Sequence, residues 1–122
     1  QFPDNLGIQA ALASAHFEAG NWEKAVEYSL KVVGRKPNAR WMQSIRGRAL
    51  ARLGRLAEAE DVLNRSTRGD VRDVRVFQWA AEEWLAQGNQ GEARRMVEKG
   101  LEIAEKDSIL LRTLLAVNGG SE

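Results

Sequence analysis

The sequence predicts an all-α fold, a right-handed superhelical solenoid of three helix-turn-helix units followed by a C-terminal helix. Three observations predict it. Gly20, Gly54 and Gly88 stand at equal intervals of 34 residues, Ala25, Ala59 and Ala93 each follow five residues later, and the phase holds without an inserted residue along most of the 122-residue chain. A repeat of that length is a hairpin of helices that cannot bury its apolar face alone, so neighbours stack and function belongs to the surface they share.

The units run 6–39, 40–73 and 74–107. The predicted hairpins are 5–19 with 22–33, 39–53 with 56–67, and 74–87 with 91–104. In each, the glycine closes the first helix, because a residue without Cβ tolerates the left-handed conformation common just past a helix C-terminus. Ala25, Ala59 and Ala93 then lie early in the second helix, opposite the small residues Ala13, Gly47 and Ala81 of the first. Val32, Ser66 and Gly100 mark where the next helix presses in. Pro3 precedes Pro37 by the same interval, so Phe2-Pro3-Asp4 reads as the tail of an upstream repeat with Asp4 as the cap of the first helix. Ser108 is the expected N-cap of a helix over 109–117, which stands where a fourth unit begins. The chain is expected to be one solenoid segment, residues 1–122, of a longer array.

These residues resemble the tetratricopeptide repeat family, whose unit carries Trp-x2-Leu-Gly-x2-Tyr, then glycine, an aromatic, alanine, a second aromatic, a small residue and proline. Unit 6–39 matches at Leu12, Ala13, Gly20, Trp22, Ala25, Val32 and Pro37. Unit 40–73 keeps Gly47, Leu50, Gly54, Leu56 and Ala59, with Val71 at the proline position. Unit 74–107 keeps Phe77, Ala81, Trp84, Gly88 and Ala93, with Glu105 at that position. The resemblance implies a non-catalytic protein-interaction scaffold. It also implies that the first helix of each unit lines a concave groove. Residues three or four apart share a helix face, which selects Phe17 on the first, Trp41, Ser44, Arg48 and Arg52 on the second, and Arg75, Gln78 and Glu82 on the third.

Composition fits a helical domain and excludes several chemistries. With 43% hydrophobic and only 7% aromatic residues, closely packed helices are expected; no stretch is apolar enough for a membrane span, and the absence of cysteine excludes disulfides and thiolate metal sites. No metal or other cofactor is expected. The formal net charge of +1 conceals a gradient, from +3 in the middle unit, whose eight basic residues are all arginine, to −2 in the third. Arginine offers a planar fork to carboxylates and phosphates, although arginine-alanine richness is also what a GC-rich genome produces. Arg48 and Arg52 are like charges one turn apart, so they meet either a counter-charge such as Glu82 or a ligand. The expected partner is another protein, as a peptide, helix or folded surface bearing acidic groups.

Other readings are weaker. The lone His16 has only Leu12, Ala13, Ala19 and Gly20 as helical neighbours, so it is expected to be a packed, hydrogen-bonded side chain and no catalytic base. Gly88-Asn89-Gln90-Gly91 lacks a lysine and follows no strand, unlike a phosphate loop. Glu82 and Glu83 are expected on a solvated face. The carboxylate clamp by which some family members grip chaperone tails maps to Ala10, Ser14, Ile45, Arg75 and Trp79, of which Arg75 alone is compatible, so a chaperone-tail adaptor is rejected. A nucleic-acid-binding helical repeat is an alternative that the near-neutral charge and 34-residue period disfavour. Within the family the chain is most similar to bacterial assembly platforms, including periplasmic arrays that precede an outer-membrane barrel in Pel-type exopolysaccharide export, with the periplasm weighed ahead of a cytoplasmic scaffold. Finally, Ile109, Leu111, Leu114 and Leu115 leave apolar side chains on more than one face of the last helix, so weak self-association is expected there.

Overall fold

The computed structural model describes residues 5–69, 71 and 73–119. Among them are seven helices and no strand: α1 Leu6–Glu18, α2 Trp22–Arg35, α3 Arg40–Arg52, α4 Leu56–Ser66, α5 Arg75–Ala86, α6 Gln90–Ile103 and α7 Ser108–Gly119. Every predicted helix is present, with ends displaced by at most two residues.

The three hairpin turns share one solution. Gly20, Gly54 and Gly88 have φ of 81°, 82° and 81°. In each turn the glycine N–H returns to the helix, to the carbonyls of Phe17, Ala51 and Leu85, and the next N–H reaches one residue further back, to His16, Leu50 and Trp84. This paired closure satisfies carbonyls that a helix end otherwise leaves open. The chain therefore reverses within three residues.

Small-on-small packing follows from those turns. Ala13, Ala25, Ala59, Ala81 and Ala93 are fully buried. Gly47 is tighter still, since a Cβ built on it would lie 2.7 Å from Cγ of Leu63. The first compact unit, residues 1–66, packs α1 against α2, α2 against α3 and α3 against α4. Its core joins Ala13, Ala25, Val32, Met42, Ile45 and Ala49, with Leu50, Ala51, Ala59 and Val62 in an adjoining cluster.

The second compact unit, residues 67–122, contains α5, α6 and α7, with α6 against both neighbours. Phe77, Met96 and Leu110 are among its largest fully buried side chains. Gly100 lets α7 come close: a Cβ there would lie 2.9 Å from Cδ1 of Leu110 and 3.1 Å from Cβ of Phe77. Two side chains of α6 also hold the far end of α7, as Gln90 donates to the Val117 carbonyl at 2.8 Å and Arg94 to Oδ1 of Asn118 at 3.1 Å.

The division between the units falls inside the second repeat. There α4 stops at Ser66, whereas α2 and α6 run three residues further in register, to Arg35 and Ile103. Gly69, with φ 81°, sits in the early loop, and Val71 N–H bonds to its carbonyl. No proline occupies this register in the second repeat, and the left-handed glycine ends the helix instead.

Helix caps correct the sequence reading in two places. Asn5, expected as the first helical residue, is the N-cap of α1 and accepts from Ile8 N–H at 3.0 Å. The expected cap Asp4 and the tripeptide 2–4 lie outside the described residues. At α7 the cap is Asp107 and not Ser108: its Oδ1 accepts from the N–H groups of Ile109 and Leu110 at 3.0 and 2.9 Å. A carboxylate is the better acceptor for the partial positive charge at a helix start.

Candidate interaction surfaces

In the first unit the turn at Gly20 places an aromatic pair where α1 passes into α2. Phe17 and Trp22 meet edge to face, ring centroids 5.3 Å apart. The guanidinium of Arg48 lies over Phe17 at 5.1 Å and that of Arg52 over Trp22 at 5.2 Å. Two cations one helical turn apart on α3 are thus each seated on a ring of the neighbouring hairpin. The ring faces offer negative quadrupole to the cations, an attraction of about 0.5–1 kcal/mol at exposed sites. A guanidinium carries its five N–H donors in one plane.

The sequence identified Phe17, Arg48 and Arg52 as candidates but gave Trp22 only its place in the repeat. The missed signal is spatial: a glycine turn brings residues five apart, 17 and 22, side by side. Trp41, two helical turns before Arg48, is 47% exposed. Ser44 is a correction. It is 1% exposed and its Oγ has no hydrogen-bond partner, so it belongs to the packed side of α3 and not to an open groove. The other arginines of the middle repeat are largely structural. Arg40 donates to the Ser66 carbonyl at the end of α4, Arg55 pairs with Glu58 at 2.7 Å and Arg65 with Asp61 at 2.6 Å. Burial, with Arg65 nearby, lowers the Arg46 pKa from its ordinary value.

In the second unit the candidates engage one another locally. Arg75 grips its neighbour Asp73 through Nε and Nη2, the shortest contact being 2.6 Å, and its guanidinium lies 5.6 Å from the Trp79 ring centre. These hydrogen bonds lower the Asp73 carboxyl pKa and raise that of Arg75. Gln78 donates to Glu82 at 2.8 Å. Glu83 overturns the expected solvated pair: it is fully buried and accepts from Gln87 at 2.9 Å. Arg75, the one clamp-compatible residue, therefore already holds a carboxylate of its own chain.

His16 is packed as expected. Its ring stacks on Tyr28 with centroids 5.6 Å apart and planes within 2°, and Nδ1 lies 3.2 Å from Nδ2 of Asn21. Among the described residues no three histidine, aspartate or glutamate side chains gather into a metal site, and no helix is long and apolar enough to cross a membrane. On α7, Leu110 and Val117 are buried, Leu114 is half-buried, and Ile109, Leu111 and Leu115 are exposed, Leu115 by 70%.

Comparison with known proteins agrees with this architecture. The tetratricopeptide repeat family model matches residues 41–65 and 79–99. A search of curated proteins finds no significant match. Among solved structures, the chain is similar to the first TPR of Spaghetti (RPAP3) bound to the HSP90 peptide SRMEEVD, with a TM-score of 0.72 at 17% identity over 94% of this chain and 91% of that one. The family match and the shared fold support tetratricopeptide character for the repeats. That character in turn supports a protein-interaction scaffold.

Proposed function

We propose that the chain is a non-catalytic binding segment that takes an acidic protein partner on the α1–α3 face of its first unit. The observation that carries this reading is the seating of Arg48 and Arg52 on Phe17 and Trp22. The rings hold the two guanidiniums pre-ordered, which reduces the entropy that binding must remove. Carboxylates of a partner then meet the guanidinium edges, and the exposed Trp41 supplies an apolar anchor. Arg75, Gln78 and Glu82 stand in the second unit and are engaged with near neighbours, so they are assigned a secondary part.

Tryptophan fluorescence tests the proposal. Titration with acetyl-Glu-Asp-Glu-Asp-amide is expected to perturb the emission, and the uncharged Gln/Asn analogue is expected not to. Replacing Arg48 and Arg52 by glutamate should abolish the difference. Equal responses to the two peptides would refute an acidic partner at this face. The HSP90 peptide SRMEEVD belongs in the same experiment. The mismatched clamp positions predict that it binds no better than a scrambled peptide of the same composition.

A narrower reading places the chain in a bacterial periplasm, as an assembly platform for exopolysaccharide export. What supports it is the resemblance of its divergent, arginine- and alanine-rich, cysteine-free units to such arrays. Fractionation of cells expressing the full-length protein tests it, and recovery in the cytosol would favour a cytoplasmic scaffold.

A further inference from the structure

The last helix repeats the burial of its predecessors on one side only. Met42, Val76 and Leu110 stand at one register of the repeat and Ala49, Glu83 and Val117 at another, and all six are buried. By that measure α7 turns the same side inward as α3 and α5. The side that α3 gives to α4, and α5 to α6, behaves differently. Gly47 is buried against Leu63 of α4, and Phe77 against Gly100 of α6. Leu115, at the register of Gly47 and Ala81, and Leu111, at the register of Phe77, are exposed.

The two covered helices show what fits this face. On each it is taken by an amphipathic helix running back from a tight turn, with buried residues spaced i, i+3, i+4 and i+7: Ala59, Val62, Leu63 and Ser66 on α4, and their register mates on α6. Close approach requires that one helix be small at the crossing. On α3 it is Gly47, where a Cβ would lie 2.7 Å from Cγ of Leu63. On α7 the same place holds Leu115, so the room must come from the covering helix. The α7 of a second copy is the lesser occupant, because it brings leucines of its own to Leu111 and Leu115.

We infer that this side of α7 binds an amphipathic helix of another protein, lying antiparallel as α4 lies on α3. Its contact face has alanine or glycine where α4 has Leu63, and a second small residue three positions on, where α4 has Ser66 and α6 has Gly100. Burial of Leu111 and Leu115 supplies affinity, and the small residues let the two backbones approach. Size and not charge selects this partner, so the surface is distinct in chemistry from the arginine face of the first unit.

The probe is a synthetic peptide of residues 90–104 carrying Val97→Ala, stapled on its solvent side because so short a helix is marginal in isolation. It presents alanine to Leu115 and Gly100 to Leu111. Titration followed by methyl NMR is expected to shift Leu111 and Leu115 and to leave the exposed Leu30 of α2 unmoved. A comparison peptide with leucine at both 97 and 100 is expected to bind about 5–150-fold more weakly, the range of an overpacked contact. Leu115→Glu in the chain should abolish binding of the first peptide, while a thermal melt shows that the variant remains folded. Equal binding of the two peptides, or shifts that spare Leu111 and Leu115, overturns the inference. A dimer in sedimentation that neither peptide dissociates gives the face to a second copy and overturns it too. Because the Leu115 variant leaves Arg48 and Arg52 in place, failure here is separable from failure of the acidic-partner proposal.

Discussion

Gly47→Ala is the sharpest probe of how the hairpins close. In a helix interior the exchange alone stabilises by about 0.8–1 kcal/mol, since alanine loses less backbone freedom. At Gly47 the added Cβ would lie 2.7 and 2.8 Å from Cγ and Cδ2 of Leu63 and 3.3 Å from its backbone nitrogen. Carbon pairs settle at about 3.5–4 Å, so one side chain or both helices must yield. Leu63 is fully buried, and its backbone is part of the contact, so rotation of the leucine alone does not clear the space. Overpacking of this kind costs about 1–3 kcal/mol, and subtracting the helix-propensity gain leaves a net loss of up to about 2 kcal/mol. In a domain of this size that lowers the melting midpoint by up to about 10 °C, and places the variant about 1–3 kcal/mol below a control that takes the same gain without the clash. Gly34→Ala is the matched control, because nothing lies within 4 Å of its added Cβ. It should be neutral or stabilising by up to about 1 kcal/mol. Thermal melts followed by circular dichroism compare the two. A Gly47 variant as stable as the Gly34 variant would refute the close approach of α3 and α4.

Three further outcomes are expected. The double variant Arg48→Glu, Arg52→Glu should lose acidic-peptide binding and about 1–2 kcal/mol of stability, since two cation–ring contacts disappear; denaturant titration measures the second effect, and unchanged stability would contradict the ring seating. On α7, Leu111→Glu should abolish any concentration dependence of the sedimentation coefficient, because it introduces a charge beside the exposed Ile109 and Leu115; a wild-type chain that is monomeric at every concentration would remove α7 as a self-association surface. Hydrogen bonds from Arg75 lower the Asp73 pKa below its ordinary 3.8, so the stability they confer is present above about pH 4 and is lost as pH falls through the lower folded value. Asp73→Asn should therefore lie below wild type in melting midpoint at pH 7 and converge with it near pH 2.

What was legible in the sequence is what repeats. A left-handed glycine and a small residue at a helix crossing are demands made by local backbone geometry. The same demand recurs every 34 residues, so Gly20, Gly54 and Gly88 announced their turns, and Ala13, Gly47 and Ala81 their crossings. The same logic was available for the caps and went unused: Asp73 and Asp107 share that interval, and each carboxylate accepts from the N–H two residues on, of Arg75 and Ile109. Where the repeat lapses, at Gly69, no register warned of an early end to α4. Groove membership was harder, because a helix face assigned by spacing does not say what lies opposite. Ser44 and Glu83 sat on plausible faces, yet both are buried, Ser44 without a hydrogen-bond partner and Glu83 with Gln87 as its partner.

The partners of the arginines show the same limit from the other side. Spacing placed Arg48 and Arg52 together, but it did not announce that Phe17 and Trp22 lie beneath them in their own unit. A like-charged pair on one helix requires that each cation lose little by approaching the other, and a ring beneath each contributes to this. Two rings order the guanidiniums beside the α1–α2 turn, so the aromatic residues of that turn help to set where the arginines of α3 present their N–H donors.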